Sequence, residues 1–187
     1  MNCTRWWTGV FPYRGQFVYA FGGSNGNFLN SAEKYTIETK LWTNVRSTMQ
    51  RAKQCCSVCE HLSGLYMSGI EQKGSSMECF YPIDETFRLI RSDSYPIASI
   101  MCCIGDELYT IRHNKVEFAN LARGPAVTLM VKATFQPINT GQYWLCCPIK
   151  VQAGELVSVL NPCGEPFGLF RLSPRQGLFT QVANFLY

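Results

Sequence analysis

The sequence predicts an all-β repeat protein, and three observations carry that prediction. Short apolar runs rich in aromatic and β-branched residues end in turn clusters, as Phe17–Phe21 ends in Gly22-Gly23 and then Ser24-Asn25-Gly26-Asn27. The first of these runs is apolar on both alternating faces, the pattern of a sheet covered on each side. Four hairpins also align, on Phe17-Val18-Tyr19, Gly64-Leu65-Tyr66, Glu107-Leu108-Tyr109 and Glu155-Leu156-Val157, with spacings of 47, 43 and 48 residues. A self-similar period of about 40–50 residues in β units is the signature of propeller blades.

The elements follow in order, with strands a to d in each blade and a nearest the axis. In the first blade (7–46), strand a is Thr8–Pro12, Gly15 turns the chain, and strand b is Phe17–Phe21. Gly22-Gly23 supplies backbone freedom where b ends. Strand c is Ala32–Ile37, Glu38-Thr39-Lys40 is a turn, and strand d is Leu41–Val45. The second blade (54–92) repeats this with Gln54–Glu60, a Ser63-Gly64 turn and Leu65–Ser68. Its Glu78-Cys79-Phe80 matches Glu33-Lys34-Tyr35, Phe87 matches Trp42, and Gly69-Ile70 replaces the diglycine. The third blade (98–132) keeps Ser99–Ile104, Leu108–Ile111, 116–121 and 127–132, with Arg112-His113 at the diglycine position. The fourth (143–184) runs 143–151, Leu156–Leu160, 169–172 and 178–182. No linker separates the blades, so the expectation is one domain over residues 1–187.

Gly22-Gly23, Tyr35 and Trp42, in that order and at those separations, resemble the kelch repeat. The likeness is good over 17–45, partial over 64–90, and beyond that only the hydrophobic skeleton persists. It implies a kelch-type β-propeller of about four four-stranded antiparallel blades, and a protein that binds protein partners more often than it catalyses. Gly22, Gly23, Tyr35, Trp42, Gly69, Phe80 and Phe87 are then structural repeat residues. Four blades imply either a small closed ring or an incomplete one, and an incomplete ring leaves edges that pair or aggregate.

With 47% hydrophobic and 16% charged residues, 187 residues fold rather than stay disordered. The net charge of +4 comes from scattered residues with no Lys/Arg stripe, which excludes nucleic-acid and membrane-surface binding as readings. The start Met1-Asn2-Cys3-Thr4-Arg5 carries no signal-peptide core, and the apolar run near Ile97–Ile104 is far short of the roughly 20 residues that span a bilayer. The expectation is a cytoplasmic protein. Its ten cysteines include three vicinal pairs, Cys55-Cys56, Cys102-Cys103 and Cys146-Cys147, each read as sitting at one repeated position on the strand before a hairpin. Reduced thiols packed as small apolar residues fit that pattern.

Chemistry finds little support. Cys56-Ser57-Val58-Cys59 has the spacing of a zinc half-site, but a second half is missing and a strand would aim the two thiols at opposite faces. His61 and His113 are read as turn and loop histidines, and Asp84-Glu85 and Asp106-Glu107 as turn residues. No metal, cofactor or catalytic residue is expected.

Binding has a better case. In an antiparallel blade a begins and b ends at the same edge, so the d–a and b–c loops share one face. That face gathers Arg5, Asn25, Asn27, Arg51, Lys53, Tyr95, Arg112, His113 and Tyr143, residue types that anchor protein interfaces. Arg51, after Met49, stands where kelch-type repeats often place an arginine, and Trp7 and Trp144 are expected to pack in the core. The reading is an adaptor or scaffold that binds a protein partner through this loop face. The rivals are a propeller enzyme acting on a sugar-like substrate and a structural fragment that self-associates through open blade edges.

Overall fold

The computed structural model describes residues 1–62, 64–93, 100–112, 115–123, 130–134, 144–145, 149–150, 156–161, 167–173 and 178–185. The chain is all-β and divides into two compact units, Met1–Ala98 and Ser99–Tyr187. Among the described residues no helix is long and apolar enough to cross a membrane.

The first unit holds two antiparallel four-stranded blades. Blade 1 comprises β1 (Gly9–Tyr13), β2 (Phe17–Phe21), β3 (Ala32–Thr36) and β4 (Leu41–Asn44) in that spatial order. Blade 2 comprises β5 (Gln54–His61), β6 (Gly64–Glu71), β7 (Gly74–Tyr81) and β8 (Thr86–Asp93). Each is a simple meander, because every connection is short enough to join antiparallel neighbours. The blades register on one another: Tyr19 pairs with Phe11 and Lys34, and Tyr66 pairs with Cys59 and Cys79.

The core lies between the two blades. Period-2 alternation sends Phe11, Tyr13, Phe17, Tyr19 and Phe21 of blade 1 to one face, and they meet Val58, Leu65, Met67, Phe80 and Phe87 of blade 2. Tyr19 and Phe21 sit edge-on to Phe80 at 5.2 and 5.3 Å between ring centroids, geometry in which ring edges meet π faces favourably. Burial, reinforced by the nearby Glu85 and Tyr13, pushes the Tyr19 hydroxyl up to about 12, so it stays neutral.

The second unit repeats the architecture. β9 (Ile100–Ile104), β10 (Glu107–Arg112), β11 (Lys115–Asn120) and β12 (Met130–Thr134) form one four-stranded sheet. In the other, β13 (Trp144–Leu145) and β14 (Ile149–Lys150) both pair with β15 (Leu156–Asn161), followed by β16 (Phe167–Ser173) and β17 (Leu178–Phe185).

The cysteine positions depart from expectation. Cys102 pairs with Tyr109 as Cys59 pairs with Tyr66, so Cys59 and not the Cys55-Cys56 pair occupies the place equivalent to Cys102. Cys55-Cys56 instead falls where the β5–β6 register shifts between Gln54 and Ser57. The reason is spacing: Cys102 stands seven residues before Tyr109 as Cys59 does before Tyr66, whereas Cys55 and Cys56 stand eleven and ten before Tyr66. Cys3, Cys56, Cys59, Cys79, Cys102 and Cys103 lie outside any disulfide, and burial pushes the Cys102 thiol up, away from reactivity.

Candidate functional site: the loop edge of the first unit

The loop edge is organised by one glutamate per blade. Glu33 on β3 stands opposite Ala20, the residue after Tyr19, and Glu78 on β7 stands opposite Met67, the residue after Tyr66. Each carboxylate clamps the segment that leads into its own blade. Glu33 accepts from the Asn2 and Cys3 backbone N–H groups at 2.5 and 3.1 Å and from the Arg5 guanidinium at 2.7 Å. Glu78 accepts from the Gln50 and Arg51 N–H groups at 2.9 and 3.1 Å and from the Lys53 ammonium at 2.6 Å. Two consecutive amides followed by a cation two residues on is the same motif, displaced by 48 residues along the chain.

Both ion pairs are fully buried, so each charge depends on its partner to offset desolvation. Burial by itself would raise the Glu33 carboxyl. The bonds from Asn2, Arg5 and Cys3 outweigh it and hold the group below the usual glutamate range. Arg5 also donates to the Gly22 and Ser31 carbonyls at 2.8 and 3.1 Å, tying both ends of the b–c loop to the entering chain. In the second unit Glu117 occupies the same register, opposite Thr110, and is buried. The place equivalent to Arg5 and Lys53 is Pro96, outside the described residues.

Loops and entering segments interlock at this edge. Trp6 and Ser24 exchange backbone hydrogen bonds at 2.9 Å in both directions. The Gly23 N–H donates to the Lys53 carbonyl at 2.9 Å, and the Lys53 N–H donates to Leu29 at 3.0 Å. The b–c loop of blade 1 is therefore stitched between the two d–a segments. Gly22 and Gly23 have φ of 58° and 92°, and a Cβ on them would stand 2.5 Å from the Lys53 carbonyl oxygen and 2.7 Å from that of Trp6. Only glycine meets both demands.

The predicted site residues separate into groups. Arg5 and Lys53, expected to face a partner, are buried in the glutamate clamps, because a cation beside a buried carboxylate is held inside. Lys53, and not Arg51, fills the cation position of the repeat. Arg51 lends its N–H to Glu78 and leaves its side chain exposed. Asn25 and Asn27 are exposed at the loop tip, where the Asn25 N–H donates to the Asn27 carbonyl. Tyr95, His113 and Tyr143 lie outside the described residues, as does the side chain of Arg112 at the end of β10.

Trp7 was expected in the core, yet Trp6 and Trp7 are 47% and 44% exposed. Trp7 takes a φ of 54°, which turns the chain at this edge instead of continuing the strand inward. With Gln50, Gln72 and Lys73 also exposed, the edge presents indole surface, amides and two cations. The glutamates hold this edge together, and their signal in the sequence is a Glu at one repeated position, Glu33 and Glu78, with a basic residue, Arg5 and Lys53, 28 and 25 residues before it.

Residues 18–49 match the model of the Kelch motif. That stretch carries a Kelch motif. The matched span contains Gly22, Gly23, Glu33, Tyr35, Trp42 and Met49. No curated protein sequence matches the chain. Among solved structures it is similar to a GH43 glycoside hydrolase engineered to display both endo-xylanase and exo-arabinofuranosidase activity, at 12% identity and a TM-score of 0.59. That match covers 96% of this chain and 41% of the hydrolase. An oligogalacturonate lyase in complex with manganese is similar at 8% identity and a TM-score of 0.56, covering 91% of this chain and 50% of the lyase. This chain thus spans half or less of the length of either, and at such identities the likeness is one of fold.

Proposed function

We propose that this kelch-repeat chain is a protein-binding module, an adaptor or scaffold without chemistry of its own. The observation that carries the reading is the loop edge of the first unit, where Trp6 and Trp7 stay exposed beside Asn25, Asn27 and Arg51. Exposed indoles and an arginine on a stitched backbone are the side chains from which interface hot spots are made. The fitting partner presents carbonyl or carboxylate acceptors around an apolar knob. Rigidity helps, because a loop already fixed by Arg5 and Lys53 loses little further freedom on binding.

The test is affinity capture from lysate with wild type, a Trp6→Ala/Arg51→Ala variant, and a Leu62→Ser/Ile83→Ser variant altered at the a–b and c–d turns of blade 2. A partner kept by wild type and the turn variant but lost with the loop-edge variant supports the reading. Equal recovery by all three baits sinks it.

The structural neighbours raise the rival of a carbohydrate-active propeller. Glu33 and Glu78, the buried carboxylates of the first unit, are committed to cations and backbone amides, which leaves them unsuited to proton transfer. Incubation with xylan and oligogalacturonate is expected to release no new reducing or unsaturated ends.

A further inference from the structure

We propose that Asn25-Gly26 is a self-modifying site, at which the asparagine side chain closes on the glycine nitrogen and reopens as a carboxylate. The chemistry lies within a single loop of blade 1 and does not depend on the protein-binding reading.

The sequence places glycine after one asparagine only, Asn25. The side-chain carbonyl carbon of an asparagine lies within ring-closing reach of the next residue's nitrogen, and a side chain on that next residue crowds the approach. Glycine has none. The loop tip supplies the rest. Asn25 and Gly26 are exposed, Gly26 takes a φ of 108°, and a Cβ built on it would meet nothing within 4 Å. The Gly26 N–H is committed weakly, to the Ser24 hydroxyl oxygen at 3.4 Å. The Asn25 side-chain amide donates to the Cys3 sulfur at 3.6 Å, and sulfur is a poor acceptor.

Asn27 gives the contrast inside the same loop. It is also exposed, yet Phe28 follows it, and the Phe28 backbone is bridged to Ser24. Asn44 lies in β4, paired with Glu33. Asn161 precedes Pro162, whose nitrogen carries no proton to give up.

In the first step the Gly26 nitrogen attacks Asn25 Cγ and the Cγ–Nδ2 bond breaks. Nδ2 leaves as ammonia, taking the former Gly26 amide proton. Water then adds to either carbonyl of the resulting succinimide. One opening gives an ordinary aspartyl link, the other an isoaspartyl link in which the main chain runs through the former side-chain carbon. Either way the formal net charge of +4 falls by one. The new carboxylate stands beside Ser24, whose backbone is bonded to that of Trp6.

The test ages the folded 187-residue protein at mildly alkaline pH and maps its peptides by mass spectrometry. The expected result is progressive loss of the position-25 amide into two isomeric products, with equal release of ammonia and a rate that rises with pH. Asn27 is expected to keep its amide. Gly26→Ala is expected to lose the reaction. Because alanine is strained at that φ, Asn25→Gln serves as a second variant, its longer side chain being poorly placed to close the ring. A parallel sample unfolded in urea reports the rate intrinsic to the sequence. A folded chain that keeps the Asn25 amide through the interval in which the unfolded chain loses it overturns the proposal. Conversion of Asn27 as fast as Asn25 does the same.

Discussion

Blade 1 leaves its ladder at Gly22 and makes a long loop to Ala32, while blade 2 keeps Gly69 and Ile70 paired and turns on Gln72 and Lys73 alone. The cation in each glutamate clamp follows that difference. Arg5 has loop carbonyls to satisfy and uses its fork on Glu33, Gly22 and Ser31. Lys53 has no long b–c loop of its own blade to pin, and among the described residues its ammonium serves Glu78 alone. A planar five-donor group suits a clamp that must also pin a loop, and a point charge suffices where a tight hairpin needs no pinning. One motif is thus adapted twice, and loop length selects the cation.

Removing the carboxylates should expose the difference most sharply. Glu78→Ala strands a buried ammonium and is expected to cost about 3–5 kcal/mol in urea unfolding. Glu33→Ala should cost less, because the guanidinium keeps the Gly22 and Ser31 acceptors. Equal losses would mean that the two clamps are not specialised.

Next in size are the glycines. Gly22→Ala combines a left-handed φ with a Cβ pressed on the Lys53 carbonyl and is expected to cost about 2–3 kcal/mol by thermal melting. Gly15→Ala, also at positive φ but with open space around its Cβ, should cost only about 1 kcal/mol. Exchanging the cations comes third. Arg5→Lys is expected to lose about 1–2 kcal/mol and to speed amide exchange across 22–31, while Glu33 keeps a cationic partner.

Acid separates the clamp from the surface. Folding lowers the Glu33 pKa, so its stabilisation is complete above the usual glutamate value of about 4.3 and fades as pH falls through the lower folded value. Stability should therefore decline below about pH 4.5, and that slope should weaken in Glu33→Gln. The smallest effect belongs to Lys34→Ala. Its 2.5 Å bond to Glu85 is partly exposed and should contribute less than about 1 kcal/mol.

Much of the architecture was legible along the chain. Strands β2, β3 and β4 lie within a residue of their expected limits, and the diglycine, Tyr35 and Trp42 carry the resemblance to the kelch repeat. Local patterns suffice there, because alternation, turn chemistry and repeat spacing act within a few residues. The register shift in β5 between Gln54 and Ser57 lies beyond such counting.

The sequence by itself determined that the chain is built of repeated antiparallel blades, since a period of 43–48 residues and two-sided apolar strands admit little else. Tertiary structure alone decided which basic residues reach solvent. Arg5, Arg51 and Lys53 look alike in the chain, all placed shortly before an inner strand. A glutamate 25 residues from Lys53 and another 28 from Arg5 draw those two cations inside, and Arg51, spaced two residues earlier, gives only its backbone. Long-range pairing of buried charges sets that outcome, and it exists only once the blade has closed on its own entering segment.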